Sequence, residues 1–171
     1  MSDGVVTRPR TILEDIQQTK PFRSRSQEAV LALIRSSDDI LRHLAGVLEP
    51  SGITVQQYNV LRILRGAGEE GLPTLVVGER MLERTPGVTR LIDRMEKKAW
   101  VARKRCTADR RRVWCRITQS GLDLLASLGD VVNAVDESLA NVLDEHELVQ
   151  LIDFLDRIRA DLNPDPEDSL V

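Results

Sequence analysis

A chain of 171 residues accommodates one domain, or one small module with helical extensions, and excludes two domains of full size. Apolar residues make up 42% and charged residues 30%, which excludes wholesale disorder, and with five aromatics (Phe22, Tyr58, Trp100, Trp114, Phe154) the core has to be aliphatic. The net charge of −3 conceals a separation: residues 84–116 carry twelve Lys+Arg against three Asp+Glu, whereas residues 118–171 carry two against thirteen.

In chain order, residues 1–23 mix Gly4, Pro9, Pro21 and charges without periodicity and are expected to form an arm that orders only against a partner chain. Ser24 with Gln27 three residues on has the pattern of a capping box, opening a long helix over residues 24–50 that Pro50 and Gly52 close. Its apolar set, Val30, Leu33, Ile34, Ile40, Leu41, Leu44 and Leu48, forms one helical stripe. A second helix is predicted from Thr54 as N-cap to Leu64 or Arg65, with Val55, Tyr58, Leu61, Ile63 and Leu64 inward. After GAGEEG a short helix covers Thr74 to Met81. Thr85 suits the N-cap of the next helix and Pro86 its first position, where the missing amide hydrogen costs nothing. That helix, about fourteen residues and roughly 21 Å long, would bury Val88, Leu91, Ile92, Met95 and Ala99 and turn Thr89, Arg90, Asp93, Arg94 and Lys97 outward. Two strands follow, near Trp100 to Cys106 and Val113 to Ile117. Thr118 then caps a helix running to about Leu143 with Leu122, Leu125, Leu128, Val132, Val135 and Leu139 along one stripe. Asp144 with Glu147 caps a last helix carrying Leu148, Leu151, Ile152, Leu155, Ile158 and Leu162, before residues 163–171 fray as a flexible tail.

Several chemistries find no foothold. There is no Gly-rich phosphate loop, no Gly-x-Ser-x-Gly elbow and no HExxH helix, and no nucleophile, base and orienter can be assembled, so no enzyme activity and no cofactor are expected. His43 and His146 accompany no ligand cluster, and no metal site is expected. Cys106 and Cys115 match no zinc spacing; they are two unpaired thiols or, alternatively, a cross-hairpin disulfide or redox switch. No apolar run approaches the ~18 residues of a membrane span, and MSDGVVTRPR holds no apolar signal segment, so the expectation is a cytoplasmic protein with no membrane partner.

A short helix, a tight connection, an amphipathic helix and a two-stranded hairpin compose a winged helix-turn-helix over residues 53–117. The expected fold class is mainly α, with a small β-hairpin wing and long terminal helices. Its target would be double-stranded DNA, the marked helix entering the major groove with Thr85, Thr89, Arg90 and Arg94 at base edges or phosphates. Gly87 beside Pro86 lets first-turn amides approach a phosphate, or merely starts the helix. Arg110, Arg111 and Arg112 at the hairpin tip repel one another unless an anion lies between them, which the minor groove and its phosphates supply. Asp109 is expected to orient that tip by pairing one guanidinium. A rival reading is a helical interaction module whose winged helix contacts an acidic protein partner.

The block TPGVTRLIDRMEKKAWVARKRCTADRRRVWCRITQSGLDLL resembles the multiple-antibiotic-resistance regulator (MarR) family, in which a helix of type "vTRLiDRLE" precedes a strand, a "DRR" wing and "T..G..LL". The matches are Val88 to Glu96, Asp109 to Arg111, Thr118, Gly121, Leu124 and Leu125, and GITVQQYNVLRIL resembles the family's second helix. The resemblance implies a homodimer in which helices of residues 24–50 and 118–162 interlock. It also implies a near-palindromic operator with half-sites about 34–36 Å apart, and a repressor released by a small, often aromatic or phenolic, effector. Arg42, His43 and Tyr58 are candidates to line the effector cleft. Ala99 stands where the family has glycine, and the expectation is that alanine does not supply a left-handed helix terminator there. The reactive cysteine of the redox-sensing branch has no counterpart in the first helix, so peroxide sensing is not expected.

Overall fold

The computed structural model describes residues 8–83, 86–105 and 113–164, in two compact units that part between Val55 and Gln56.

In the N-terminal unit the expected arm contains a helical turn, α1 (Ile12–Asp15). A reciprocal capping box forms it: Thr11 Oγ1 accepts from the Glu14 amide at 3.3 Å, and the Glu14 carboxylate accepts from the Thr11 amide at 2.7 Å. The turn is then tied to α2 (Arg25–Leu48), whose Arg35 Nε lies 3.0 Å from Asp15. At the start of α2 the capping box is displaced by one residue. Ser24 Oγ accepts from the Gln27 amide at 3.1 Å, but the Gln27 side chain accepts from the Arg23 amide, at 3.0 Å, and not from that of Ser24. A 3-10 turn (Glu49–Ser51) closes the helix with Gly52 at φ 65°. The stripe of α2 is largely uncovered: Val30, Leu33, Ile34 and Ile40 are exposed, Leu41 and Leu44 are half-buried, and Leu48 is buried.

The second unit holds α3 (Val55–Gly66), β1 (Leu72–Pro73), α4 (Thr74–Glu79), α5 (Val88–Lys97), β2 (Val101–Arg105), β3 (Val113–Ile117), α6 (Gln119–Ser127), α7 (Gly129–Ala140) and α8 (Glu145–Leu162). Its core is aliphatic as composition demands, with Val60, Leu61 and Leu64 of α3, Val77 of α4, Leu91, Ile92 and Met95 of α5, and Val101 buried. Helix α3 is rotated from the expected setting: Gln57, Val60, Leu61 and Leu64 face in, whereas Val55, Tyr58 and Ile63 are half-buried. The sheet has one more strand than expected, in the antiparallel order β1-β3-β2, with Leu72 opposite Cys115 and Arg103 opposite Cys115 on its other side. Two residues cannot display an alternating pattern, which hides β1 in the sequence. The helix expected to run unbroken from Thr118 breaks at Leu128, before Gly129, a residue that disfavours helix interiors. Leu125, Leu128, Val132 and Val135 nevertheless stay buried along both pieces. Asp144 and Glu147 form the expected capping box of α8.

The junction after α5 overturns one expectation. Ala99 does adopt the left-handed conformation, at φ 58°. Its amide donates to the Glu96 carbonyl at 2.9 Å and that of Trp100 to the Met95 carbonyl at 3.0 Å, the paired bonds of a Schellman terminator. Thr118 explains why alanine tolerates this: its Oγ1 donates to the Ala99 carbonyl at 2.6 Å and its amide to the Trp100 carbonyl at 3.1 Å. The same Oγ1 accepts from the Gly121 amide at 3.2 Å, capping α6. At Gly121 a Cβ would stand 2.5 Å from the Trp100 carbonyl oxygen and 2.8 Å from Ile117 Cγ1. Substituting Ala99→Gly should therefore stabilise the protein by about 0.5–1 kcal/mol, because the left-handed strain outweighs the added unfolded-state entropy. Gly121→Ala should cost about 1–3 kcal/mol by overpacking. Urea denaturation at a fixed protein concentration measures both; an Ala99→Gly chain no more stable than its parent contradicts the strain.

Candidate nucleic-acid interface

Helix α3 holds the segment that leads into α5. Asn59 Oδ1 accepts from the Leu82 amide at 2.9 Å, and Gln56 Nε2 donates to the Glu83 carboxylate at 2.9 Å. From α4 the approach is equally close, since a Cβ at Gly78 would lie 3.2 Å from Val88 Cγ2. These contacts set where α5 begins, and it begins later than expected. Gly87, at φ 88°, is the N-cap, Val88 is the first helical residue, and Pro86 stands in the turn before it. The helix spans ten residues, not fourteen. The glycine ends the run of right-handed backbone that a start at Pro86 needs. Thr85, the expected N-cap, lies outside the described residues.

Gly87 offers no side chain to cap the first-turn amides, and it and Pro86 are both exposed. Along α5, Leu91, Ile92 and Met95 point into the core, with Val88 half-buried, while Thr89, Arg90, Arg94 and Lys97 are exposed. Ala99, expected inward, is exposed. Arg90 and Arg94, four apart, share one side of the helix. The structure thus brings Thr89, Arg90 and Arg94 together with Pro86 and Gly87 on one short element.

Asp93 and Glu96 of α5 are bound by Arg103 of β2. Arg103 Nη1 lies 2.6 Å from Asp93 Oδ1, and its Nε donates to Glu96 Oε2 at 2.8 Å, with Nη2 on the same oxygen. Asp93 therefore is not a free member of the outward face. This clip went unseen in the sequence because its members are seven and ten residues apart across a chain reversal, and no periodicity links them. Arg103 holds the Glu96 carboxyl below its ordinary 4.5, chiefly through the hydrogen bond, and Glu96 in turn raises the guanidinium.

Outward on the sheet, Lys104 and Arg116 are exposed and Trp114 is half-buried; Lys98 Nζ sits 4.3 Å above the Trp100 ring. Cys115 is a free, buried thiol in contact with Thr74 Oγ1 at 3.3 Å, so the cross-hairpin disulfide alternative is not formed. Burial pushes that thiol's pKa up, which keeps it protonated and unreactive. Cys106, Asp109, Arg110, Arg111 and Arg112 lie outside the described residues. Of the suggested cleft residues, Arg42 is exposed and paired with Asp38 at 3.1 Å and with Asp39, and His43 is exposed. Tyr58 is half-buried with the Arg62 guanidinium 5.9 Å from its ring centre. Among the described residues no three His, Cys, Asp or Glu side chains are grouped to hold a metal ion, and no helix is long and apolar enough to cross a membrane.

A helix held by two others, followed by an antiparallel hairpin whose first strand is clipped back to it, defines a winged helix-turn-helix. The profile described as "MarR family" matches residues 51–112. A MarR transcription factor from Planctomyces limnophilus is 35% identical, with 80% of this chain and 98% of that one covered and a TM-score of 0.62. MepR of S. aureus, solved in complex with DNA, is 26% identical over 76% of this chain and 96% of its own, at a TM-score of 0.69. The HTH-type transcriptional regulator FarR of Neisseria gonorrhoeae is 26% identical over 79% of this chain and 91% of its own length. The chain belongs to the MarR family of DNA-binding transcriptional regulators.

The clip has a pH signature. A carboxyl whose folded pKa is depressed contributes stability above its unfolded value and loses it as pH falls through the folded value. The stability deficit of Glu96→Gln relative to the parent, expected to be no more than about 1 kcal/mol for so exposed a pair, should be present at pH 7. It should close on acidification below 4.5, the ordinary value. Urea titrations of both proteins across that range check it; a deficit that persists to pH 2 rules out the ion pair as its source.

Proposed function

We propose that this chain acts as a homodimeric, effector-responsive repressor bound to a near-palindromic operator. The observation that carries the dimer is the uncovered apolar surface. Val30, Leu33, Ile34 and Ile40 of α2 and Val149, Ile152, Phe154, Ile158 and Leu162 of α8 are all exposed in a single chain. Residues 24–50 and 118–162 would bury these faces against a second copy, leaving 53–117 as the DNA-binding region. Two recognition helices would then meet half-sites about 34–36 Å apart.

In this reading Thr89, Arg90 and Arg94, with Thr85 and the turn Pro86–Gly87, contact the major groove. Arg110, Arg111 and Arg112 grip the minor groove beside it, with Asp109 orienting their loop. The exposed positions of Thr89, Arg90 and Arg94 support the first assignment; the local excess of nine positive charges over residues 84–116 supports the second. A small aromatic or phenolic effector, read from the family resemblance, would shift the spacing of the two heads by binding one arrangement better than the other. Arg42, His43 and Tyr58 are the residues to vary in testing that cleft.

Selection from a random duplex pool tests the operator, and the expected product is a symmetric site. With about six to ten phosphate contacts, affinity should fall ~10³–10⁵-fold between 50 and 200 mM salt. Arg110→Ala with Arg111→Ala should weaken binding across all sequences, whereas Arg90→Ala should change which bases are preferred. No enrichment from the pool, even at low salt, would defeat DNA binding. Ile34→Asp should leave the chain helical by circular dichroism yet weaken self-association roughly 30-fold or more in sedimentation, as for loss of an interface hot spot.

A further inference from the structure

We infer that Arg103 is a positioning residue that joins the wing to the recognition helix, so that both meet DNA as one rigid body; the inference rests on the DNA-binding reading above.

The wing is attached to the rest of its unit through both strands. At its base the Ala99 and Trp100 carbonyls are held by Thr118, and β3 is held by its pairing with β1 and by Thr74 Oγ1, which donates to the Val113 carbonyl at 3.2 Å. On β2, three residues past Trp100, Arg103 supplies an attachment to the recognition helix itself. It contacts α5 through both sides of its guanidinium, Nη1 on Asp93 and Nε with Nη2 on Glu96. A planar group fixed at two separated acceptors resists rotation in a way that a point charge cannot. Its backbone is anchored as well, since Arg103 pairs with Cys115, whose buried thiol lies against Thr74 of α4. The side chain itself is only 27% exposed, so this contact is sheltered compared with the other ion pairs of the surface.

Binding constellations need their groups held within about 0.5 Å and 10–20°, and Arg103 fixes the direction in which β2 leaves α5. The clip also silences two carboxylates on the helix that faces DNA. Without Arg103, Asp93 and Glu96 would oppose phosphate from the same element that carries Arg90 and Arg94.

The double variant Arg103→Ala with Glu96→Gln separates position from charge, because it removes one positive and one negative charge and leaves the total unaltered. The probe is a mixed-sequence duplex of about 30 base pairs, followed by fluorescence anisotropy from 50 to 200 mM salt, with a melting curve for each protein. The double variant should melt within a few degrees of the parent, bind on the order of tenfold more weakly, and show a log–log salt slope shallower by about 2, as wing contacts to phosphate drop out. Arg103→Lys, which keeps the charge without the fork, should recover only part of the affinity. A double variant with the parent's affinity and slope overturns the inference, as does a loss of binding that merely tracks a lost folded fraction. A parent protein that binds no duplex overturns the DNA reading itself, and the inference with it.

Discussion

One hydroxyl, that of Thr118, sets the geometry of the DNA-binding unit. It donates to the Ala99 carbonyl where α5 ends and accepts from the Gly121 amide where α6 begins, so the end of one helix and the start of another share a single atom. The hairpin is threaded between these two bonds, with its base held by the Trp100 carbonyl. Gly121 lets α6 lie directly over that base, because any larger residue would meet the Trp100 carbonyl. The family pattern "T..G..LL" thus describes a junction: the threonine ties, the glycine admits, and Leu125 enters the core. The direction in which the wing leaves the recognition helix follows from these constraints.

Local signals made part of the fold legible. The ends of α2 and α8 followed from caps and stripes, which act within one turn, and the order of helices and hairpin followed from turn residues and alternating strands. What escaped was decided at a distance. The start of α5 depends on Asn59 holding Leu82 and on Gly78 admitting Val88, so the local preference of Pro86 for a first helical position did not prevail. The left-handed Ala99 depends on Thr118, nineteen residues on. Strand β1 exists only because β3 offers it an edge. In the proposed interface, Thr89, Arg90 and Arg94 were recognisable because they fall outside the buried stripe of an amphipathic helix, while Asp93 shares that property and serves another purpose.

The charge pattern acquires a different sense once positions are known. A count along residues 84–116 treats every charge alike, yet Arg103 is taken up by Asp93 and Glu96 inside the unit. Among the described residues of that stretch the outward charge is that of Arg90, Arg94 and Lys97 on α5, of Lys98 just after it, and of Lys104 and Arg116 on the sheet. Helix α8, with five Asp and Glu against two Arg, also carries an uncovered apolar face, so in the proposed dimer an anionic part of the chain and a self-associating part coincide there. Repulsion between like-charged arms would then oppose the hydrophobic closure and make assembly responsive to ionic strength.

The strained alanine has a consequence for how this sequence evolves. Alanine and glycine codons differ by a single base, so the energy held at position 99 is one mutation from release, at a site whose change removes only a methyl group. A lineage carrying a damaging substitution elsewhere in the unit has a general remedy within reach there. Position 99 is thus where second-site revertants of unrelated lesions are expected to gather.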